Sequence, residues 1–387
     1  MNNYNILKII ILILLSGFIY MYGQTGSDAS ATGISRAFNP ALSANGLFGA
    51  MVSTEDTPLW EQISNQTGLH LQDACIELTS NVDIYLQSKF AFGCEEGEGL
   101  AVEEAYLTTL RMPIPVILKG GKMLSAFGRY NLFHSHHMAF AENPMILNNI
   151  FGSKLNEVGI EASYLAPLPW YTDVTAGILN GNNANLFNSE KQEHLAYLIH
   201  LDNLWEVSDE ITCRIGGSFL TGQKGLSYSE NITIPFDSTI NNISSNVWGI
   251  NYHIKWKPMQ YGRYRSIILE GEYANASLTI DGHTTKPLHG IYSQALYQFK
   301  LRWWIQARYE WLEQSKDLHY YFPVPDTMQD LTKDLTANRI SFALAYVPTE
   351  FSAYRLQYNI LDIDGEKEHQ LVLQVNVTIG SHPAHKY

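Results

Sequence analysis

The sequence predicts an all-β fold: a transmembrane antiparallel β-barrel of about sixteen strands, with short periplasmic turns and long extracellular loops. Three observations predict it. Apolar and polar residues alternate with a period of two through most of the chain, so each segment has one apolar and one polar face. The alternating segments are about ten residues long, the length a tilted strand needs to cross a bilayer. Short and long connections alternate between them, a parity that a soluble sandwich has no reason to keep.

The chain opens with a different pattern. Lys8 precedes an apolar run from Ile9 to Tyr22, followed by Gly23 and small polar residues. This is the layout of a secretory signal over 1–23, and the run is short for a membrane span of about 20 residues. Residues 24–41 then read as a short periplasmic segment, and 42–379 as the barrel.

The first candidate strands are 42–53, 69–79, 83–93, 101–111 and 115–124, with short turns at Ser80–Val82 and Met112–Ile114. Next come 156–165, 170–179, 193–204 and 210–220, turning at Ala166–Pro169 and Trp205–Asp209. In 246–257, Trp248, Ile250, Tyr252, Ile254 and Trp256 alternate with Gly249, Asn251, His253 and Lys255. Strands at 264–275 and 288–298 follow, after a turn at Pro258–Arg263. In 301–313, entered by the turn Phe299–Lys300, Trp303, Ile305, Tyr309 and Trp311 alternate with Arg302, Gln306, Arg308 and Glu310. The last three strands, 338–347, 351–361 and 368–379, alternate most cleanly, with Pro348–Glu350 turning the first pair. Segments 101–111, 115–124 and 288–298 leave their facing open. The longer connections, 54–68, 125–155, 180–192, 221–245 and 314–337, fall on the opposite rim. Prolines 113, 167, 169, 258 and 348 end strands at the short turns because they cannot donate to a ladder. Trp170, Trp205, Trp256, Tyr346 and Phe351 lie beside those turns, where an aromatic girdle belongs.

Composition agrees. Aromatic residues make up 12 % of the chain and charged residues only 16 %, below the roughly 25 % usual for soluble domains. The net charge of −13 argues against nucleic acid. Cys75, Cys94 and Cys213 give no even disulfide framework; the hairpin register separates the first two, and Cys213 reads as a small residue on the outer face.

Several stretches resemble a Gram-negative outer-membrane porin-like β-barrel family in the porin O/P-like superfamily. They are FNPALSANGLF at 38–48, VEEAYLTTLRMPIPVILKGGKMLSAFGRYN at 102–131, NEVGIEASYLAPLPWY at 156–171 and the tail IGSHPAHKY. The resemblance implies an outer-membrane barrel whose third extracellular loop folds inward. Members are sometimes labelled zinc-regulated TonB-dependent outer membrane receptors. A transporter of that kind needs about 22 strands and a globular plug, whereas the segment ahead of the first strand here is short. Some members carry a His/Gly-rich insertion in the first loop; here that loop is STEDTPLWEQISNQTG, without histidine, which weakens any inherited zinc binding. After Ile379 the alternation breaks, so 380–387 reads as a kinked strand end or a short periplasmic tag.

With polar faces inward, the pore-lining candidates are Lys89, Arg214, Lys255, Arg302, Arg308, Arg339 and Arg355, with Glu157, Glu161, Asp173, Glu270, Glu272 and Glu310. Charges of both signs would pass ions and small polar solutes, or would pair and plug the lumen; for sixteen strands an aqueous channel is the more usual outcome. The 125–155 loop holds ENPMILNNIFGS, which reads as a short helix with Asn143 as N-cap, Pro144 in the first turn and Gly152 past its end. Its Met145, Ile146, Ile150 and Phe151 need an apolar partner, which places the loop against the inner wall. Arg129, His134, His136, His137 and Glu142 then become constriction residues.

The density of FHSHHM raises a zinc site on His134, His136 and His137, with Glu142 the near carboxylate; a polar pore lining is the competing reading. His382 and His385 sit on the opposite rim and cannot complete it. No His-Glu-x-x-His, Gly-x-Ser-x-Gly or phosphate-binding glycine loop is present, and DGHTTK at 281–286 is turn chemistry, so no enzyme is expected. The expected function is a passive outer-membrane channel for small polar or ionic solutes. The alternatives are a substrate-specific receptor or transporter for metal or a hydrophobic compound, and a barrel adhesin or structural protein. The expected partners are outer-membrane lipid, small solutes, the barrel-insertion machinery and, by analogy, a homotrimer.

Overall fold

Sixteen long antiparallel strands close on themselves in a computed structural model that describes residues 40–55, 59, 67–94, 99–187, 194–224, 243–280, 282–316 and 333–380. The expected signal over 1–23, nearly all of the segment after it, and His382 and His385 lie outside the described residues. The strands are β1 (Ala41–Ser53), β2 (Gly68–Asn81), β3 (Leu86–Cys94), β4 (Ala101–Thr109), β5 (Val116–Leu124), β6 (Asn156–Leu165), β7 (Tyr171–Leu179) and β8 (Ala196–Ser208). They continue as β9 (Ile211–Gln223), β10 (Ile243–Trp256), β11 (Ser266–Ile280), β12 (Leu288–Lys300), β13 (Trp303–Gln314), β14 (Leu335–Thr349), β15 (Ser352–Ile363) and β16 (Glu366–Gly380). Each pairs with its sequence neighbours, and β1 closes the barrel on β16 with Phe48 opposite Val375. The DGHTTK stretch adds a two-residue strand, His283–Thr284, folded back on the end of β11.

The barrel is inside-out relative to a soluble protein. Ile340, Phe342 and Leu344 of β14, Tyr354, Leu356 and Tyr358 of β15, and Leu371 and Leu373 of β16 are all exposed on the outer wall. Between them, Arg339, Ser341, Arg355, Gln357, Asn359 and Gln374 are buried inside. Register places Leu356 opposite Leu373 and Tyr358 opposite Leu371, so outward residues form continuous apolar rows. An apolar wall of this extent needs lipid rather than water, and a closed ladder leaves no backbone edge unpaired in it.

The three segments of open facing resolve. Glu104 of β4 is buried inside while Leu107 is exposed outside; Lys119 of β5 lies opposite the buried Glu161; Tyr292, Gln294 and Leu296 of β12 point in, and Ala295 and Tyr297 are exposed outside. Cys94 faces Ala74 rather than Cys75 in the β2–β3 register, all three cysteines are free, and Cys213 shares the outer face with the exposed Ile215.

Both ends of the described barrel and the short turns share one rim, as an even strand count requires. The opposite rim is less uniform than expected, because β15 and β16 meet there in a two-residue hairpin. Asp364 and Gly365 take φ of 52° and 95°, the left-handed pair that a type I′ turn needs.

The interior is not uniformly polar. Toward the long-loop rim, Leu198, Leu220, Val247, Leu278, Leu288, Leu312 and Leu361 point inward and are buried in one apolar cluster. Its other half comes from the 125–155 loop: Phe127, Tyr130, Met138, Met145, Ile146, Ile150 and Phe151. The loop therefore sits inside the barrel.

A lipid-facing charge near mid-strand tests the assignment of faces. Phe342→Arg is expected to destabilise the folded barrel by about 2–4 kcal/mol, read from guanidinium unfolding in lipid vesicles. An effect near zero would place that face in water.

Candidate functional site: a loop clamped inside the barrel

The 125–155 loop is a closed unit. Ser125 N–H donates to Leu155 O at 2.9 Å, joining its two ends. Asn131 braces the same junction, donating from Nδ2 to Ser125 O (2.8 Å) and Leu155 O (3.0 Å) and accepting Leu155 N–H at 2.7 Å. Two 3₁₀ turns, Tyr130–Leu132 and Ser135–His137, precede the helix α1, Met145–Phe151. Its Met145, Ile146, Ile150 and Phe151 are buried against β11, β12 and β13, as the apolar face requires. Phe127 meets Phe151 edge-on at 5.1 Å, and Tyr130 meets Tyr292 of β12 at 5.5 Å.

The helix start differs from expectation. Pro144, not Asn143, is the N-cap, and no side chain within the helix caps it. Its first N–H, that of Met145, instead donates to Glu310 Oε1 on the wall at 2.7 Å. The wall does the capping.

This pattern runs the length of the loop. Glu161 accepts Ala126 N–H (2.9 Å), Ser218 accepts Gly128 N–H (2.8 Å), and one oxygen of Glu272 accepts Arg129 N–H and Tyr130 N–H (both 2.7 Å). Gln357 accepts Ala141 N–H at 2.9 Å. Loop carbonyls are met by wall donors: Asn376 Nδ2 to His136 O (2.9 Å), Arg355 Nη2 to Met138 O (2.7 Å), Arg308 Nη1 to Glu142 O (3.1 Å) and Arg339 Nη2 to Asn143 O (3.1 Å). At Gly128 (φ +59°) a Cβ would come 2.4 Å from Glu272 Oε2, so the loop can approach that carboxylate only with glycine there.

A buried charge network centres on Glu142 of the loop. Arg339 Nη1 lies 3.2 Å and Arg308 Nη2 3.6 Å from its Oε1, which also accepts Gln357 (2.8 Å) and Asn359 (2.9 Å). Glu310 completes it, paired with Arg308 Nε at 3.0 Å and hydrogen-bonded by Arg339 Nε. Both arginine side chains are fully buried.

The expectation of a charged, water-facing lining therefore needs correction. Arg308, Arg339, Arg355, Glu161, Glu272 and Glu310 do face inward, but they lie buried beneath the loop and hold it. Glu157 is buried too and accepts the Asn182 (3.0 Å) and Asn183 N–H groups of the next long connection. Arg302 is not on the wall; it occupies the exposed two-residue turn between β12 and β13. Lys255 is half-buried on the inward row of β10, and Asp173 accepts Thr175 Oγ1 at 3.0 Å. Glu270 lies 3.6 Å from Arg129 Nε, while Arg214 Nε pairs with Asp202 at 3.2 Å.

The three histidines do not converge. His134 Nε2 lies 2.8 Å from Glu104 Oε2 and 3.2 Å from Lys89 Nζ, and its Nδ1 is 3.6 Å from Glu103. His136 stacks parallel to His134 at 5.6 Å, whereas His137 is tilted against His136 at 4.3 Å. Nitrogens about 2.0–2.1 Å from one zinc ion need rings aimed at a common point. Among the described residues, no group of three or more His, Cys, Asp or Glu is arranged to hold a metal ion. The zinc reading does not fit this donor set.

Glu77, Glu103 and Glu104 complete the His134 cluster, with Lys89 Nζ 2.6 Å from Glu104 and 3.4 Å from Glu77. Period-two reasoning misses them because adjacent Glu103 and Glu104 belong to opposite faces of a regular strand. A bulge resolves this: Ala91 faces Glu104 and Phe92 faces Val102, so Glu103 is the extra residue and turns toward His134. A second irregularity, between β1 and β2, leaves Gln72 extra and lets its Nε2 reach Ala141 O at 2.5 Å. In the sequence, the only sign of the first bulge is the doublet EE, in a segment whose facing the pattern leaves open.

Burial alone would disfavour a charged His134. The Glu103 and Glu104 carboxylates outweigh it and raise its pKa to about 9. Beside this cluster lies a cavity of about 300 Å³, lined on the loop side by Arg129, Leu132, Phe133, His134 and His137. Lys89, His200, Asp202, Arg214 and Asn251 line it from the wall.

No family model matches the chain. It is 27 % identical over 358 residues to an uncharacterized protein of Aquifex aeolicus (strain VF5), across 84 % of this chain and 71 % of that one. Among solved structures it is similar to OprB of Pseudomonas putida (TM-score 0.59, 11 % identity, 89 % of this chain and 94 % of that one). It is similar as well to an anion-selective porin from Comamonas acidovorans (TM-score 0.57, 10 % identity, 88 % and 99 %). The trimer form of Vibrio cholerae OmpT, an outer membrane protein, gives a TM-score of 0.57 at 11 % identity over 89 % and 100 %. The chain thus has the outer-membrane porin fold.

Two outcomes follow from the clamp. Glu142→Leu leaves Arg308 and Arg339 without one counter-charge, and removing one partner of a buried pair costs about 3–5 kcal/mol. Loop docking should weaken by that order, seen as new protease cuts within 129–145 of the intact barrel; unchanged resistance would refute the clamp. The second concerns pH. Because the folded pKa of His134 lies above the ordinary 6.5, its contribution is complete below about pH 6.5 and lost as pH rises through about 9. Protease resistance of the loop should therefore fall with a midpoint near pH 9 in the wild type, and His134→Gln should lack that midpoint.

Proposed function

We propose that this chain is a passive outer-membrane channel constricted by its third loop, and that small anions pass the constriction more readily than cations. The observation that carries the second half is the make-up of the cavity. Lys89, Arg129, Arg214 and the raised-pKa His134 line it, against one carboxylate, that of Asp202. Of their other counter-charges, Glu77 and Glu104 are buried in the wall, while Glu103 and Glu270 are half-buried beside His134 and Arg129 and do not line the cavity. A solute in the cavity meets the cations first, and a narrow site with low-dielectric walls concentrates that field.

The apolar cluster at the long-loop end supports a narrow rather than a wide path. Inward leucines from β8, β9, β11, β12, β13 and β15 are filled by the loop's own apolar residues, so the lumen there is occupied by packed side chains. A channel of this build is expected to conduct in small steps. A homotrimer is the proposed assembly, in line with the trimer form of the similar Vibrio cholerae protein.

Planar-bilayer recording tests the reading. Under a potassium chloride gradient, the reversal potential should take the sign of chloride permeability above potassium permeability. Lys89→Gln with Arg214→Gln should lower that ratio several-fold. Cation preference in the wild type would overturn the anion reading, and absence of current steps at any voltage would overturn the channel.

A further inference from the structure

The geometry points to a binding site for a small organic carboxylate in the cavity beneath the third loop, with Arg129, Lys89 and Arg214 facing the carboxylate and Leu132 and Phe133 facing its hydrocarbon body. This inference rests on the proposed anion preference and goes further, because it distinguishes organic from inorganic anions.

The argument begins with an anomaly in the loop's packing. Its apolar residues are otherwise withdrawn from solvent: Met145, Ile146, Ile150, Phe140 and Phe127 are all buried. Leu132 is 45 % exposed, although it sits on the same clamped segment and lines the cavity. Phe133, next to it, is half-buried and lines the same space. The local backbone is well fixed, since Phe133 N–H donates to Tyr130 O at 3.1 Å and closes a 3₁₀ turn. The two side chains are therefore held against the cavity by the fold of the loop.

A hydrated inorganic anion gains nothing from such a surface and loses water to it. An anion with an apolar body gains by covering it. The cationic side of the site is built next to that surface. The Arg129 guanidinium carbon stands 5.1 Å from the centre of the Phe133 ring, with Glu270 3.6 Å from its Nε. Arg129 is positioned through its own backbone, whose N–H is held by Glu272 at 2.7 Å. Lys89 and Arg214 face the cavity from β3 and β9. Charge and apolar surface thus meet at one place, as a carboxylate on a short aliphatic or aromatic body requires. The volume, about 300 Å³, lies at the small end of the roughly 300–1,000 Å³ usual for organic ligands.

The test is titration calorimetry on the detergent-solubilised full chain near neutral pH, with sodium benzoate, sodium acetate and sodium phosphate as probes. Titration into micelles alone supplies the baseline. Binding measured this way does not depend on current flow, so it separates this inference from the channel reading. Benzoate is expected to bind about tenfold more tightly than acetate or phosphate. Leu132→Ser should weaken benzoate about fivefold and leave acetate unchanged, and Arg129→Gln should weaken both. Heat-modifiable migration on gels establishes that each variant is a folded barrel. Phosphate binding as tightly as benzoate, benzoate indifferent to Leu132→Ser, or no heat above the micelle baseline would each overturn the proposal. Loss of chloride preference in the bilayer with benzoate binding intact would overturn only the permeation reading.

Discussion

An irregular loop placed inside a β-barrel brings peptide groups that no neighbouring strand can pair, and this constraint shapes the interior of the molecule. Buried N–H and C=O groups must find partners, because each one left unpaired costs about 1–3 kcal/mol. The wall supplies them. Glu161, Glu272, Glu310, Gln357 and Ser218 accept loop N–H groups, while Arg308, Arg339, Arg355 and Asn376 donate to loop carbonyls. Even the one helix of the loop takes its N-terminal partner from β13. The polar inner face is thus first of all a template for the loop.

That role of the wall decides which charges remain open to the cavity. Charges on β13 and β14 are neutralised in a buried network around Glu142 and Glu310, and Arg355 of β15 is buried where it donates to Met138 O and Gln374. The cavity is lined instead by groups on β3, β8, β9 and β10 and by loop residues between Gly128 and His137, where cations outnumber carboxylates. Glu104, itself buried, pairs with Lys89 and His134, whereas Asp202, the partner of Arg214, shares the cavity lining.

Much of the fold is legible in the sequence, since a barrel wall obeys a period of two strictly. The alternations at 338–347, 351–361 and 368–379 correspond to β14, β15 and β16, and the apolar residues read as lipid-facing are exposed. The inward position of the third loop is legible from the need of Met145, Ile146, Ile150 and Phe151 for a partner. The site is less so. Periodicity reports which face a side chain takes, not whether water or another segment lies against it, so Arg308, Arg339 and Arg355 read as lining although the loop covers them. Glu103 is hidden by a bulge that breaks the very pattern used to read the strand, and Asn143 loses the cap position because a carboxylate remote in sequence takes its role. The histidines look like a metal site by density alone; the orientation of His134 depends on the carboxylates of β2 and β4.

Backbone hydrogen exchange of the folded barrel in lipid vesicles tests the central claim most directly. The amides of Ala126, Arg129, Tyr130, Ala141 and Met145 donate to wall side chains. If the loop is clamped inside the barrel, they should exchange orders of magnitude more slowly than an unstructured segment and approach the protection of the strands. Exchange at the rate of a free surface loop would contradict the account, because it would leave the inward carboxylates and arginines without the partners that explain them.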